Sequence, residues 1–192
     1  MQGDIMSKKI KLIIGSTRQG RVGSHIANWL VGVAKDAGVD LEVIDLKEVN
    51  LPVFDGLSPA YFGPQTDVAK AWSVKITEAD AIIFVTAEYN RSIPAPLKNA
   101  IDYLFKEWNG KQAAIISYGY VDAGVGVTKH LTDVLNWVKM DIVEPTVAIQ
   151  LAQDHLGEDG NFKDVDAALD HAKAPFIAAL QAISTADVLV AA

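Results

Sequence analysis

Apolar positions in this chain fall into short continuous runs separated by longer stretches of helical spacing. Leu12-Ile13-Ile14 closes a run that begins at Lys8, and Ala81-Ile82-Ile83-Phe84-Val85 and Ala113-Ala114-Ile115-Ile116 are apolar throughout. Runs with no polar face are what central parallel strands require, because helices cover them on both sides. Val39–Leu46 alternates apolar with polar residues and predicts a strand with one face less buried, near a sheet edge. Ile142–Ile149 predicts a fifth strand. Between these runs, helices are expected at about Val22–Ala37, Asp67–Glu78, Pro94–Lys106 and Gly126–Val138. Val165, Ala168, Leu169, Ala172, Phe176, Ala179, Leu180 and Ile183 keep i+3/i+4 spacing and mark a last amphipathic helix, with a kink expected at Pro175. Lys47–Pro64 carries Pro52, Gly56, Pro59, Gly63 and Pro64 and reads as a long loop over the surface.

Strands thus alternate with helices. Parallel neighbours need crossover connections and the helices supply them, so the fold class is α/β, a three-layer sandwich. Five parallel strands with helices on both faces permit the flavodoxin-like strand order 2-1-3-4-5, in which ligands bind beyond the carboxyl ends of strands one and three. The loops after Ile14, Val85 and Ile116 are therefore where function is expected.

Composition narrows the chemistry. The 192 residues suit a single domain over 1–192, with disorder expected at 1–7 and a tail at 187–192. There is no cysteine, which removes thiol nucleophiles, dithiol redox pairs and iron–sulfur clusters, so electron chemistry would need a cofactor. A net charge of -7 argues against nucleic acid as a partner. No apolar run approaches the roughly 18 residues of a membrane span, and Met1–Ile5 lacks the pattern of a signal peptide, so a cytoplasmic protein with no membrane partner is expected. His25, His130, His155 and His171 show no paired ligand spacing, and no metal site is expected.

The loop Gly15-Ser16-Thr17-Arg18-Gln19-Gly20-Arg21-Val22-Gly23-Ser24 combines glycines, hydroxyls and two guanidinium groups at a helix N-terminus. Free N–H groups, the positive end of the helix dipole and a bidentate arginine favour a phosphate there. The plain alternative is a tight turn with solvated arginines, but a position after a central strand favours the anion site. Gly15 and Gly20 have P-loop spacing, yet Arg21 and Val22 stand where that motif needs Lys and Ser/Thr, so nothing would hold Mg²⁺. The dinucleotide fingerprint fails at Thr17, which takes the place of its second glycine. A terminal monophosphate survives this elimination.

The second loop reads Thr86-Ala87-Glu88-Tyr89-Asn90-Arg91-Ser92-Ile93-Pro94-Ala95-Pro96, followed by Leu97-Lys98-Asn99-Ala100-Ile101-Asp102. Glu88-Tyr89-Asn90-x-Ser92-x-Pro94 and the residues after it, with Gly15-Ser16-Thr17-Arg18-x-Gly20-Arg21, resemble the NADPH-dependent FMN reductase family of flavodoxin-like proteins. The resemblance covers about Lys8–Ile149 in two long motifs of correct order and spacing. It implies FMN as cofactor, NADPH or NADH as co-substrate, and a small-molecule electron acceptor such as a quinone, azo compound, free flavin or metal oxyanion. Ala87 departs from the proline that the family usually carries before Glu-Tyr-Asn, and the stiffening of the loop is lost with it. The third loop, Ser117-Tyr118-Gly119-Tyr120-Val121-Asp122-Ala123-Gly124, resembles the family's Gly-rich segment beside the isoalloxazine, where glycine lets backbone approach a flat ring. Ile115 two residues before Ser117 excludes a G-x-S-x-G elbow.

The candidate cofactor-binding residues are Ser16, Thr17, Arg18, Arg21, Gly23, Ala87, Glu88, Tyr89, Asn90, Ser92, Ser117, Tyr118, Gly119 and Gly124. Those of the second loop have a structural reading beside this one: Tyr89 as packing, Asn90 as an Asx-turn residue, Ser92 as a helix N-cap. Glu88 reads as a structural or interface carboxylate rather than an acid, because hydride transfer to a flavin needs no carboxylate base. No side chain is assigned a catalytic role, since the flavin carries the chemistry. The expected activity is an NAD(P)H oxidoreductase, with an electron-transfer flavodoxin as the alternative and a flavin-free scaffold as a third reading. NADPH and NADH both stay open, with Arg21 and Arg91 the candidates for a 2′-phosphate. A homodimer or homotetramer is expected through the helix that begins at Pro94, with Phe105 and Trp108 as interface anchors and Leu97, Ile101 and Leu104 in the core.

Overall fold

The computed structural model describes residues 8–185. The disorder expected at 1–7 and the tail at 187–192 lie outside them. In chain order the elements are β1 (Ile10–Ile14), α1 (Gly23–Asp36), β2 (Leu41–Asp45), α2 (Leu46–Val49), α3 (Pro59–Phe62), α4 (Asp67–Thr77) and β3 (Ala81–Ala87). They continue with α5 (Ala95–Asp102), β4 (Gln112–Gly119), α6 (Val125–Trp137), β5 (Asp141–Ile142), β6 (Val147–Gln150) and α7 (Val165–Thr185). The sheet is parallel with order β2-β1-β3-β4-β5, and β6 also pairs with β4. The flavodoxin-like order read from the strand pattern is therefore present, with β2 at the edge.

Two apolar layers sandwich the sheet. Ile10, Leu12 and Ile14 face α1 and α7, where Ile26, Leu30, Phe176 and Leu180 are buried. Ile13 points the other way, toward Trp72 and Ile76 of α4, Leu97 and Ile101 of α5, and Leu131 and Leu135 of α6. Strand side chains alternate across the sheet, so a run apolar at every position feeds both layers. Lys11 is the exception in β1. It is buried, and its ammonium lies 3.2 Å from Glu42 and 3.1 Å from Glu78.

Three boundaries differ from the pattern-based expectation. The segment 142–149 is not one strand: β5 and β6 both pair with β4 and share the fifth place, and Pro145 between them has no N–H to give a ladder. The 47–64 loop contains α2 and α3; Asp45 caps α2 through the Lys47 N–H at 2.9 Å, and Pro59 opens α3. Helix α5 stops at Asp102 rather than near Lys106, and turns follow it. Helix α7 spans Val165–Thr185 with Pro175 inside it, as the spacing predicts.

Trp108 is not an interface anchor. It is fully buried, its Nε1–H donates to the Ile101 carbonyl at 3.1 Å, and its ring meets Trp72 edge-on at 6.3 Å. The end of α5 at Asp102 turns the chain so that Trp108 folds beneath the helix instead of continuing its outer face. Leu97, Ile101 and Leu104 are buried as expected, and Phe105 is half-buried. Among the described residues no helix is long and apolar enough to cross a membrane.

Candidate functional site

The loops after β1, β3 and β4 meet at the carboxyl end of the sheet around a cleft of about 230 Å³. The sheet register creates this meeting: Ile14 lies beside Val85, and Ala87 beside Tyr118, so the three loops leave adjacent strand ends. Gly15 follows β1 with its N–H donating to the Val85 carbonyl at 2.9 Å, and a Cβ there would sit 2.9 Å from Leu97. Glycine is therefore needed for β1 to lie so close to α5.

Ser16 is fully buried, and its Oγ lies 2.5 Å from the Tyr89 hydroxyl, tying the first loop to the second. Arg18 is exposed, with its guanidinium 5.8 Å from the centroid of the Tyr89 ring, in cation–π range. Arg21 is held differently. It forms a bidentate pair with Asp45, 2.6 Å from Nη1 to Oδ1, and Nη1 also donates to the Ser16 carbonyl at 2.5 Å. Its charge is thus largely neutralised by β2 while it braces the loop.

Helix α1 begins at this loop without a side-chain cap: Val22 occupies the N-cap and no acid stands in the first turn. The first N–H groups of such a helix have no intrahelical acceptor, and the positive end of its dipole lies beside Arg21 and Val22 of the cleft wall. Helix α6 is handled the opposite way. Glu88 Oε2 accepts the Val127 N–H at 3.0 Å, so a carboxylate already serves that N-terminus. A Cβ on Gly126 would lie 2.8 Å from the same oxygen, which explains glycine in that turn.

The second loop is a two-residue turn. Tyr89 and Ser92 exchange backbone hydrogen bonds at 3.0 Å in each direction, and Asn90 and Arg91 between them have φ of 50° and 66°. Both central residues at positive φ define a type I′ geometry, where Asn is favoured first and Gly is usual second. Arg91 holds the second place because its guanidinium is fixed by Glu88 Oε1 at 3.1 Å and by Asp122. The Asp122 carboxylate also raises the Arg91 pKa further above its ordinary value. This pairing links the second loop to the third.

The third loop is tied by Ser117, whose buried hydroxyl donates to the Ala123 carbonyl at 2.9 Å. Gly124 has φ of 84°, and a Cβ on it would sit 2.9 Å from Ser117 Cβ. Tyr118 points toward α1, and its hydroxyl is buried with no hydrogen-bond partner among the described residues. Burial, with the neighbouring Tyr89, pushes its pKa well above the usual tyrosine value.

Of the residues singled out in the sequence, the cleft wall includes Ser16, Arg18, Arg21, Ala87, Glu88, Tyr89, Tyr118 and Gly119. Thr17 faces a separate cleft of about 250 Å³ with Leu46, Lys47, Asn50 and Asn99. Gly23, Ser117 and Gly124 stand behind the wall and shape it. Asn90 is exposed at the turn, and Ser92 does not cap α5: Pro94 is the N-cap, and the Ser92 hydroxyl lies 3.0 Å from His130 Nδ1. Sequence reasoning did not single out Gly20, Val22, Tyr120, Leu151, Leu156 and Gly160, which complete the wall. The last three follow β6, and the glycines at 157 and 160 were the visible signal of a turn there.

The sequence profile of the NADPH-dependent FMN reductase family matches residues 8–154. The chain belongs to that family. An NAD(P)H-dependent FMN reductase of Schizosaccharomyces pombe is 36% identical over 155 residues, 79% of this chain and 77% of that protein. A 2-hydroxy-1,4-benzoquinone reductase of a Burkholderia species is 29% identical over 84% of this chain and 88% of its own length. Among solved structures, the flavoenzyme NAD(P)H:(acceptor) oxidoreductase FerB of Paracoccus denitrificans shares the fold, with a TM-score of 0.72, 24% identity, and 92% and 97% of the two chains covered. The chain is accordingly an NAD(P)H-dependent oxidoreductase, and FMN and NAD(P)H are the cofactors of its family.

Proposed function

We propose that this protein passes reducing equivalents from NAD(P)H, through FMN held in the cleft between the three loops, to a quinone-type small molecule. The observation that carries this reading is the uncapped N-terminus of α1 beside Arg18 and the buried Ser16, at one end of a cleft whose wall mixes apolar side chains and aromatic rings (Val22, Ala87, Tyr89, Leu151, Leu156) with polar groups. Such a wall, with a few converging polar groups, suits a flat heteroaromatic ring carrying an anionic tail. Ser16, Arg18 and the first turn of α1 would hold the phosphate, and Ala87, Glu88, Tyr89 and Gly119 would border the ring. Bound FMN supplies the hydride- and electron-accepting chemistry. The chain's own task is to fix the ring, exclude water from one face and leave the other open to nicotinamide and acceptor in turn. Both Glu88 oxygens accept hydrogen bonds, one from Arg91 and one from the Val127 N–H, which fits a structural carboxylate. The quinone is supported by relatives named quinone reductases.

A homo-oligomer, dimer or tetramer, is part of the same proposal. Leu51, Val53, Phe54, Ala95 and Pro96 line a shallow apolar recess beside the Lys98–Asp102 pair of α5. Val53, Leu57, Tyr61 and Phe62 stand exposed on the neighbouring loop. Contiguous apolar surface of this kind supports burial against a second copy, and light scattering that finds only the monomer mass, with full flavin occupancy, would reject it.

The deciding experiment is an ultraviolet–visible titration of the purified protein with FMN, followed by NADPH or NADH consumption with benzoquinone, free flavin, an azo dye and chromate. Bound flavin, turnover with benzoquinone and parallel double-reciprocal lines are expected. Turnover that ignores FMN, or intersecting lines, would reject a shared flavin pocket.

A further inference from the structure

The ring of Tyr118 belongs to the apolar layer between the sheet and α1, but its hydroxyl does not. The phenolic oxygen lies against Gly23, the first residue of α1, so closely that a Cβ at position 23 would be 2.5 Å away. Tyr118 is only 4% exposed, and the oxygen has no hydrogen-bond partner among the described residues. Ser16 is close enough to favour the phenolate weakly, and it shares a single hydrogen bond with Tyr89. A buried, unsatisfied hydroxyl is destabilising, and phenylalanine would fill the same volume without that cost. Packing therefore accounts for the ring and leaves the hydroxyl unexplained.

Its surroundings account for it. The groups that act on the Tyr118 hydroxyl are Tyr89, Ser16, Arg21 and Arg18, all members of the first two loops. Helix α1 reaches the same spot with its N-terminal N–H groups uncapped. Arg21 is committed to Asp45, and Arg18 is exposed and supplies charge at the rim. Beside the Ser16–Tyr89 pair, the cleft thus has at Tyr118 a buried hydroxyl with no partner among the described residues, at the end where the helix dipole is positive. Burial keeps the phenol protonated at any physiological pH, so it remains a donor.

We propose that Tyr118 is the specificity-determining donor for the terminal phosphate of the mononucleotide: its buried hydroxyl, set against Gly23 beneath the uncapped α1 N-terminus, hydrogen-bonds that phosphate and selects FMN over unphosphorylated flavin. This deepens the reading of the cleft given above and rests on it. A phosphate monoester has enough terminal oxygens to accept from the α1 N–H groups and Tyr118 together, whereas riboflavin ends in a hydroxyl that offers no charge to either. Glycine at position 23 follows from the same arrangement, since any side chain would displace the phenol.

The test is Tyr118→Phe, read by thermal melting without ligand and by titration with FMN, riboflavin and inorganic phosphate. The variant should melt at or above the wild-type temperature when ligand-free. Its FMN dissociation constant should rise about tenfold, roughly 1.4 kcal/mol, while that for riboflavin stays within twofold. Stabilisation by millimolar inorganic phosphate should shrink, a readout that needs neither flavin nor turnover. Equal losses for FMN and riboflavin would place the hydroxyl at the ring and overturn the proposal, as would unchanged FMN affinity. A Tyr118→Phe protein that melts lower or does not fold would show the hydroxyl to be structural, which also overturns it. Gly23→Ala gives a second reading: the methyl displaces the phenol, so the preference for FMN over riboflavin should fall there too. If wild type binds no flavin but is stabilised by phosphate in a Tyr118-dependent way, the flavin reading fails and the phosphate donor stands.

Discussion

The Tyr89 hydroxyl lies 2.5 Å from Ser16 Oγ, and that contact joins the loop after β1 to the loop after β3. Ser16 is fully buried, so its hydroxyl has no water to turn to if Tyr89 is shortened. Tyr89→Phe should lower unfolding free energy by about 1–2 kcal/mol, the cost of one broken bond with a buried partner left over. The denaturation midpoint in urea, at unchanged slope, checks this. FMN affinity should fall with it, because the first loop loses its brace.

The two arginines of the first loop should separate by phenotype. Arg18 is exposed, and losing one charge-assisted contact to a phosphate costs roughly 1.5–3 kcal/mol. Arg18→Ala should thus weaken FMN binding about tenfold to a hundredfold while leaving stability close to wild type. Arg21 and Asp45 have side chains only 11% and 13% exposed, so Arg21→Ala strands a carboxylate and should destabilise the fold, by about 2–3 kcal/mol. Paired calorimetric binding and melting measurements would show whether the two effects divide this way.

Glu88 should behave as a helix cap. Glu88→Ala removes the acceptor of the Val127 N–H and should cost about 1–2 kcal/mol, whereas Glu88→Gln keeps an acceptor and should cost less than half of that. If Glu88 were instead a general acid, Glu88→Gln would abolish turnover with the fold intact. Steady-state rates beside melting curves distinguish the two.

Lys11 gives the acid sensitivity a direction. Its ammonium holds the Glu78 carboxyl below its ordinary value, chiefly through their hydrogen bond. A carboxylate whose pKa is depressed by folding contributes stability above its unfolded pKa, near 4.5, and loses it as pH falls through the folded value. Wild type should therefore lose stability below about pH 4.5, and Lys11→Met should remove that part of the loss. At pH 7 Lys11→Met should lie within about 1 kcal/mol of wild type, because Glu42 and Glu78 are more than half exposed and resolvate readily. Melting temperatures of both proteins from pH 3 to 7 test the difference.

By itself the sequence determined the layer architecture and the place of the site. Short apolar runs such as Ala81–Val85, alternating with stretches of helical spacing, fit doubly covered parallel strands, and five of them permit the order 2-1-3-4-5, which points to the three loops at the carboxyl end. The motifs around Ser16 and Tyr89 carried the family. What only the tertiary structure decided are the relations between residues distant in sequence. Arg21 and Arg18 look alike in the chain, and they differ because β2 brings Asp45 beside one of them. Trp108 looks like an outer anchor at helical spacing, but α5 ends at Asp102 and the ring folds beneath it. Tyr118 looks like part of a ring-binding segment, but strand alternation turns it toward α1 and sets its hydroxyl against Gly23, 95 positions earlier in the numbering. Periodicity records which face a residue takes within its own element. Which group meets it across the sheet depends on register and crossover, and those form only when the elements pack.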